Sequence, residues 1–147
     1  MLFTGTGTLW FNIKLREAKQ TSEQFRFAGW VMAQTLMNGA ALGVQIATVV
    51  FHHLMATQAG SIVYDLHLLD EFDREQGAAV RKVIGFSDLA YAEFLELEDL
   101  PHNTTRTDFV TSTVRRILSD EINWMANALR SGFFSVVRVC SLRLVVL

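Results

Sequence analysis

The stretch Gln24–Met55, QFRFAGWVMAQTLMNGAALGVQIATVVFHHLM, decides the fold of this 147-residue chain. After Arg26 it carries no Asp, Glu, Lys or Arg, yet Asn38-Gly39 interrupts it near the middle. A membrane-spanning helix needs about 20 consecutive apolar residues, and Ala28 to Phe51 is long enough. Gln34, Thr35, Asn38 and Gln45 fall inside that run, however, and amides without partners are costly in hydrocarbon. Asn-Gly is also a helix-stop signal, because Gly enters the left-handed cap conformation without steric cost. Two buried helices are therefore the better reading, and a membrane-associated helical protein is the minority one. No charged segment followed by a small-residue cleavage site precedes the run, so no signal peptide is expected.

Half of the residues are hydrophobic, 11 are Phe and one is Pro, which excludes a disordered or low-complexity chain. The length suits one domain with a sizeable core. A single cysteine excludes an internal disulfide framework and suits a reducing compartment, so the expected location is cytoplasmic, with the nucleus also compatible. The net charge of −2 is unevenly spread: residues 56–105 hold ten acidic and three basic side chains, whereas residues 106–147 hold six Arg against three acids. An acidic middle does not suit nucleic acid, which needs a clustered basic face. It suits a basic protein partner, or simply a solvated surface.

Around the deciding stretch, Leu2-Phe3, a Thr-Gly-Thr-Gly turn and Leu9-Trp10-Phe11 predict a hairpin. The turn lacks the spacing and Lys of a phosphate loop. Thr21 with Gln24 predicts a capping box, followed by a helix with Phe25, Ala28, Val31, Met32, Thr35 and Leu36 on its inner face, ending near Asn38. A second helix is expected over Gln45–Met55, then a loop at Gly60. Asp73 with Gln76 predicts a helix start, Val80, Val83 and Ile84 its apolar stripe, and Gly85 its stop. A short helix from Ser87 through Ala92, a strand at Leu95-Glu96-Leu97, a loop over Pro101–Thr105 and a long helix over Thr107–Arg130 follow. Ser131-Gly132 is expected to end that helix, and Leu142–Val146 to form a strand. The fold class is mainly α with short β-strands (α+β).

The residues give no active site by spacing. Cys140 has no local His or helix N-terminus to stabilise a thiolate and is expected to be inert. His52 and His53 are helical neighbours that point about 100° apart, and His67 and His102 lie in unrelated contexts, so no metal site is expected. Asp70, Glu71, Asp73 and Glu75 lack the ligand alternation of a calcium loop. Asn103-Thr104-Thr105 satisfies a glycosylation sequon but has no secretory context. No cofactor is implied.

Leu9-Trp10-Phe11-Asn12 with Phe25-Arg26-Phe27-Ala28-Gly29, then Thr107-Asp108-Phe109-Val110, then Ala128-Leu129-Arg130-Ser131-Gly132-Phe133 stand in an order that resembles the N-lobe of HECT-type ubiquitin ligases. Leu9-Trp10-Phe11-Asn12 is similar to that family's strand ending. Phe25, Arg26, Phe27, Gly29, Leu36 and Gly39 fill its F-R-F-x-G helix pattern, and Asp73-Arg74-Glu75 resembles its Asp-Pro-Glu helix start with Arg in place of Pro. Thr107-Asp108-Phe109-Val110 and Ala128-Leu129-Arg130-Ser131-Gly132-Phe133 are similar to two later motifs, and Ser141–Leu144 falls where the N-lobe continues. The resemblance implies a partial N-lobe over residues 1–147, with a small subdomain at about 66–105 inserted in a helical lobe. It implies docking of a ubiquitin-charged E2 conjugating enzyme, with ubiquitin itself near by, in a groove between a helix and a strand pair. Mapped on this chain, the groove falls near Val80, Val83, Ile84, Phe86 and Phe94, with an acidic rim to steer a basic E2 surface. A place in the subdomain's own core suits Phe86 and Phe94 equally well, and suits Ile84 better. The family's catalytic cysteine lies in a later C-lobe in a Thr-Cys context, so no residue here inherits a catalytic role and the chain alone is expected to be inactive. Between Leu97 and Thr107 the segment is shorter than in the family, which motivates the alternative of a non-catalytic helical interaction module. Uncovered helix faces predict self-association.

Overall fold

The computed structural model describes residues 1–55 and 65–137. The chain is mainly helical, with a three-stranded sheet, and divides into two compact units: Met1–Ile62 with Ile122–Leu147, and Val63–Glu121. The segment expected as an insertion at 66–105 lies within the second unit, whose bounds reach Glu121. Gly60, Cys140, Ser141–Leu144 and the strand expected at Leu142–Val146 lie outside the described residues.

In the first unit, β1 (Phe3–Thr4) and β2 (Thr8–Phe11) form the expected antiparallel hairpin, with Phe3 opposite Phe11 and Thr4 opposite Trp10. Helix α1 (Lys19–Met37) begins earlier than the capping box predicts. The Thr21 hydroxyl donates to the carbonyls of Arg16 and Ala18 at 3.0 and 3.1 Å instead of accepting as a cap. Asn38 closes the helix and Gly39 follows at φ +65°, as the Asn-Gly signal requires. The inner face also differs from expectation. It consists of Phe25, Gly29, Met32 and Ala33, whereas Val31 and Leu36 stand exposed.

The expected helix over Gln45–Met55 is two elements. Gln45–Ile46 is a strand, β3, paired in parallel with β2 through Thr8–Gln45 and Leu9–Ile46; helix α2 (Thr48–Met55) follows and buries Val49, Val50 and Leu54. No helix among the described residues is long and apolar enough to cross a membrane.

The last helix of this unit, α7 (Asn123–Phe134), packs along α1 and against α2. Gly132 sits inside it and does not terminate it. A Cβ at Gly29 would collide with the carbonyl of Leu129, and a Cβ at Gly132 with the carbonyl of Arg26, so the two backbones meet through paired glycines. Around this crossing the buried Phe25 ring meets Phe11 at 5.9 Å, Phe3 at 5.9 Å and Trp124 at 5.6 Å, joining sheet, α1 and α7 in one core.

The second unit contains α3 (Leu66–Asp70), α4 (Arg74–Ile84), α5 (Asp88–Leu97) and α6 (Arg106–Leu118). Helix α5 runs unbroken through Leu95-Glu96-Leu97, where a strand was expected. Tyr91 and Leu95 recur four apart and are both buried, a helical spacing that overrides the short alternation of Leu95-Glu96-Leu97. The long helix expected over Thr107–Arg130 is broken at Ser119, whose φ of −137° leaves the helical region, and a 3-10 turn over Asp120–Ile122 precedes α7. Ser and Asp compete locally for backbone hydrogen bonds, which weakens a helix at such a point.

Candidate docking site

Each helix of the second unit starts on a side-chain cap. Asp65 accepts from the Leu68 amide at 3.1 Å, Asp73 from Gln76 at 3.1 Å, Ser87 from Ala90 at 3.2 Å and Thr105 from Asp108 at 3.1 Å. Gln76 also donates its side-chain amide to Asp73 at 2.7 Å, which closes the expected cap of α4. Caps of this kind each contribute about 1 kcal/mol and fix where a helix begins. Here they set which residues of α4, α5 and α6 face one another.

The result is an aromatic cluster. Phe94 packs edge-on against Phe109 at 5.2 Å, meets Phe86 at 6.1 Å and lies nearly parallel to Tyr91 at 6.4 Å. The Tyr91 hydroxyl donates to the Thr104 carbonyl at 2.9 Å. Arg106 lies 5.0 Å over the Tyr91 ring, donates to the Ile84 carbonyl at 3.3 Å and pairs with Asp88 at 3.0 Å. One guanidinium thus fastens the end of α4 and the beginnings of α5 and α6.

Of the five residues expected at the docking surface, Phe86 and Phe94 come together, and both are half-buried. Val83 and Ile84 are also half-buried at the end of α4. Val80, at 5 % exposure, lies in the interior of this unit. The described residues of this unit form helices and no strand, so the expected strand pair is not among them. Sequence reasoning missed Tyr91, Arg106 and Phe109. The Ser87 cap was the available signal, since it places Tyr91, Phe94 and Leu95 on neighbouring positions of one helix.

Helix α5 adds an outer surface. Leu89 and Leu97 are strongly exposed, and Asp88, Glu93, Glu96, Glu98 and Asp99 stand in solvent around them. Such a surface combines apolar contact area with negative charge, which favours a partner bearing basic residues. No three His, Cys, Asp or Glu side chains converge on a metal position among the described residues. His52 and His102 are exposed and His67 lies exposed on α3.

Asp70 and Arg81 form a two-pronged ion pair at 2.8 and 2.6 Å between α3 and α4. Hydrogen bonds from Arg81 hold the Asp70 carboxyl below its ordinary range. A carboxylate whose folded-state pKa is depressed stabilises the fold above its unfolded pKa of about 3.9 and loses that contribution as pH falls through the folded value. Asp70→Asn is therefore expected to lower stability at neutral pH slightly, and to flatten the loss of stability below about pH 4. Urea denaturation across that range checks this. An unchanged acid slope in the variant would mean that the pair does not contribute.

No protein-family model matches the chain, and no curated protein matches it significantly.

Proposed function

We propose that this chain is the E2-docking part of a HECT-type ubiquitin ligase, a lobe that holds the charged conjugating enzyme while thioester chemistry takes place on a cysteine elsewhere. The single observation that carries the reading is the crossing of α1 and α7. The segments Phe25–Gly29 and Ala128–Phe133, about a hundred residues apart and each similar to a family motif, meet through their glycines. The unit inserted between them offers partly exposed Val83, Ile84, Phe86 and Phe94 beside a carboxylate-rich helix, a chemistry suited to a basic, partly apolar E2 surface. In this reading the chain binds and positions, and it has no catalytic residue of its own.

Calorimetric titration against a panel of E2 enzymes tests the proposal. Saturable binding is expected, and Val83→Asp should weaken it at least tenfold, because a charge in an apolar contact costs more than the 1.4 kcal/mol that a tenfold change represents. Val83 is half-buried, so the substituted protein must first retain its helical circular dichroism. Wild-type affinity in a folded Val83→Asp protein would exclude this surface.

The absence of a strand pair among the described residues of the second unit favours a second reading, a non-catalytic helical interaction module. A folded protein that binds no E2 would decide for it.

A further inference from the structure

Helix α5 buries Tyr91 and Leu95 and turns Leu89, Ala92, Glu93, Glu96 and Leu97 to solvent. Leu89 and Leu97 are 73 % and 85 % exposed. Leu89, Glu93 and Leu97 follow one another at steps of four, so they form one row about 12 Å long on the outer side of the helix. Charge on this side has one sign. Between residues 83 and 105 the sequence holds five acids, Asp88, Glu93, Glu96, Glu98 and Asp99, and no Lys or Arg. Arg106 pairs with Asp88 at 3.0 Å, and the other four have no ion-pair partner among the described residues. Glu96, Glu98 and Asp99 gather at the C-terminal end of α5, where the helix dipole adds to their negative charge.

We infer that this face docks a Lys- and Arg-rich amphipathic helix of another protein. Two apolar side chains of that helix, seven or eight residues apart, lie on Leu89 and Leu97, while its cations meet Glu93, Glu96, Glu98 and Asp99. The charge selects this occupant. A second copy of the chain seated here would set acid against acid, and an anionic lipid or nucleic-acid surface is repelled in the same way. An uncharged apolar partner would strip water from the carboxylates and give them no counter-charge. A helix fits the row because its own residues seven apart share one face. The apolar area is small, which makes this a weak, rapidly exchanging contact that charge steers. Leu89 and Leu97 take no part in the E2-docking proposal, so the inference stands apart from it.

Titration of the isotope-labelled full chain with a synthetic helical peptide, two Leu seven residues apart among Lys and Arg, tests the inference through amide shifts. A saturable set of shifts within residues 88–99 is expected, and it should weaken as salt is raised. Leu89→Ser and Leu97→Ser should each weaken binding about tenfold, and the double change Glu93→Lys with Glu96→Lys should abolish it. All four side chains stand in solvent, so the variants should keep their helical circular dichroism. A spectrum that does not move, or shifts gathered away from α5, would overturn the inference. Binding that survives both Leu substitutions would reduce the contact to attraction between net charges and overturn it as well. Equal binding of the same peptide with Glu in place of its Lys and Arg would do so too.

Discussion

Gly132→Ala is expected to destabilise the first unit strongly. Gly132 is a helical residue of α7 with no positive φ, so helix propensity alone favours Ala there by about 1 kcal/mol. The packing opposes this more strongly. The added methyl would meet the backbone carbonyl of Arg26 on α1, and a backbone atom inside a helix cannot rotate aside as a side-chain tip can. Relief requires the two helices to separate along their shared face, which loosens Phe25, Met32, Leu129 and Phe133 together. Overpacking commonly costs about 1–3 kcal/mol, and a clash between two backbones belongs at the top of that range or above it. Against a total stability of about 5–15 kcal/mol, such a loss is a large fraction. Urea denaturation monitored by circular dichroism would show it, with Ser131→Ala at the neighbouring exposed position as a near-neutral control. A Gly132→Ala protein as stable as wild type would mean that α1 and α7 do not cross through these glycines.

Phe25→Ala is expected to have an effect at least as large. Its side chain is fully buried and touches three other rings: Phe3 and Phe11 from the hairpin, and Trp124 from α7. Truncating a buried Phe to Ala costs about 3–5 kcal/mol through lost transfer energy and the cavity left behind. The edge-on contacts with Phe3 and Trp124 place the loss towards the upper end of that range, since such pairs contribute about 0.5–1.5 kcal/mol beyond the area they bury. The Trp124 fluorescence of the folded variant should also shift towards that of a solvated indole. Phe25→Leu, which keeps much of the volume, should recover more than half of the loss. If Phe25→Ala costs no more than a typical surface substitution, the ring cluster is not the centre of this core.

These two positions show how legibility varied along the chain. Phe25 was readable because a large apolar residue in a helical pattern usually faces inward. Gly29 and Gly132 were misread or passed over, because the crossing buries small residues and turns Phe27, Val31 and Leu36 outward. Hydrophobicity then points to the wrong face, and only the partner helix, a hundred residues away, explains the pattern. Local signals fared better. Asn38-Gly39, Asp73 with Gln76, Ser87 and the hairpin glycines all act within four residues, and the structure places each where its chemistry requires.

Long-range pairing was invisible. Gln45-Ile46 looks like the start of α2 until β2, with partners 37 residues earlier, is known to pair with it. Helix α3, at five residues, is too short to show a period. At the candidate docking site, Phe86 and Phe94 were legible as apolar residues near capped helices. The contact of Phe94 with Phe109 and the bracing by Arg106 depend on α6, and no local pattern announces them.

Amide chemical-shift mapping of the isotope-labelled chain, titrated with an E2 conjugating enzyme, tests the central claim most directly. The expected result is a saturable set of shifts confined to Val83, Ile84, Phe86, Phe94 and the acidic residues of α5, with α1 unperturbed. A well-dispersed spectrum that does not move, or shifts gathered at Phe27 and Trp30 instead, would contradict the docking proposal.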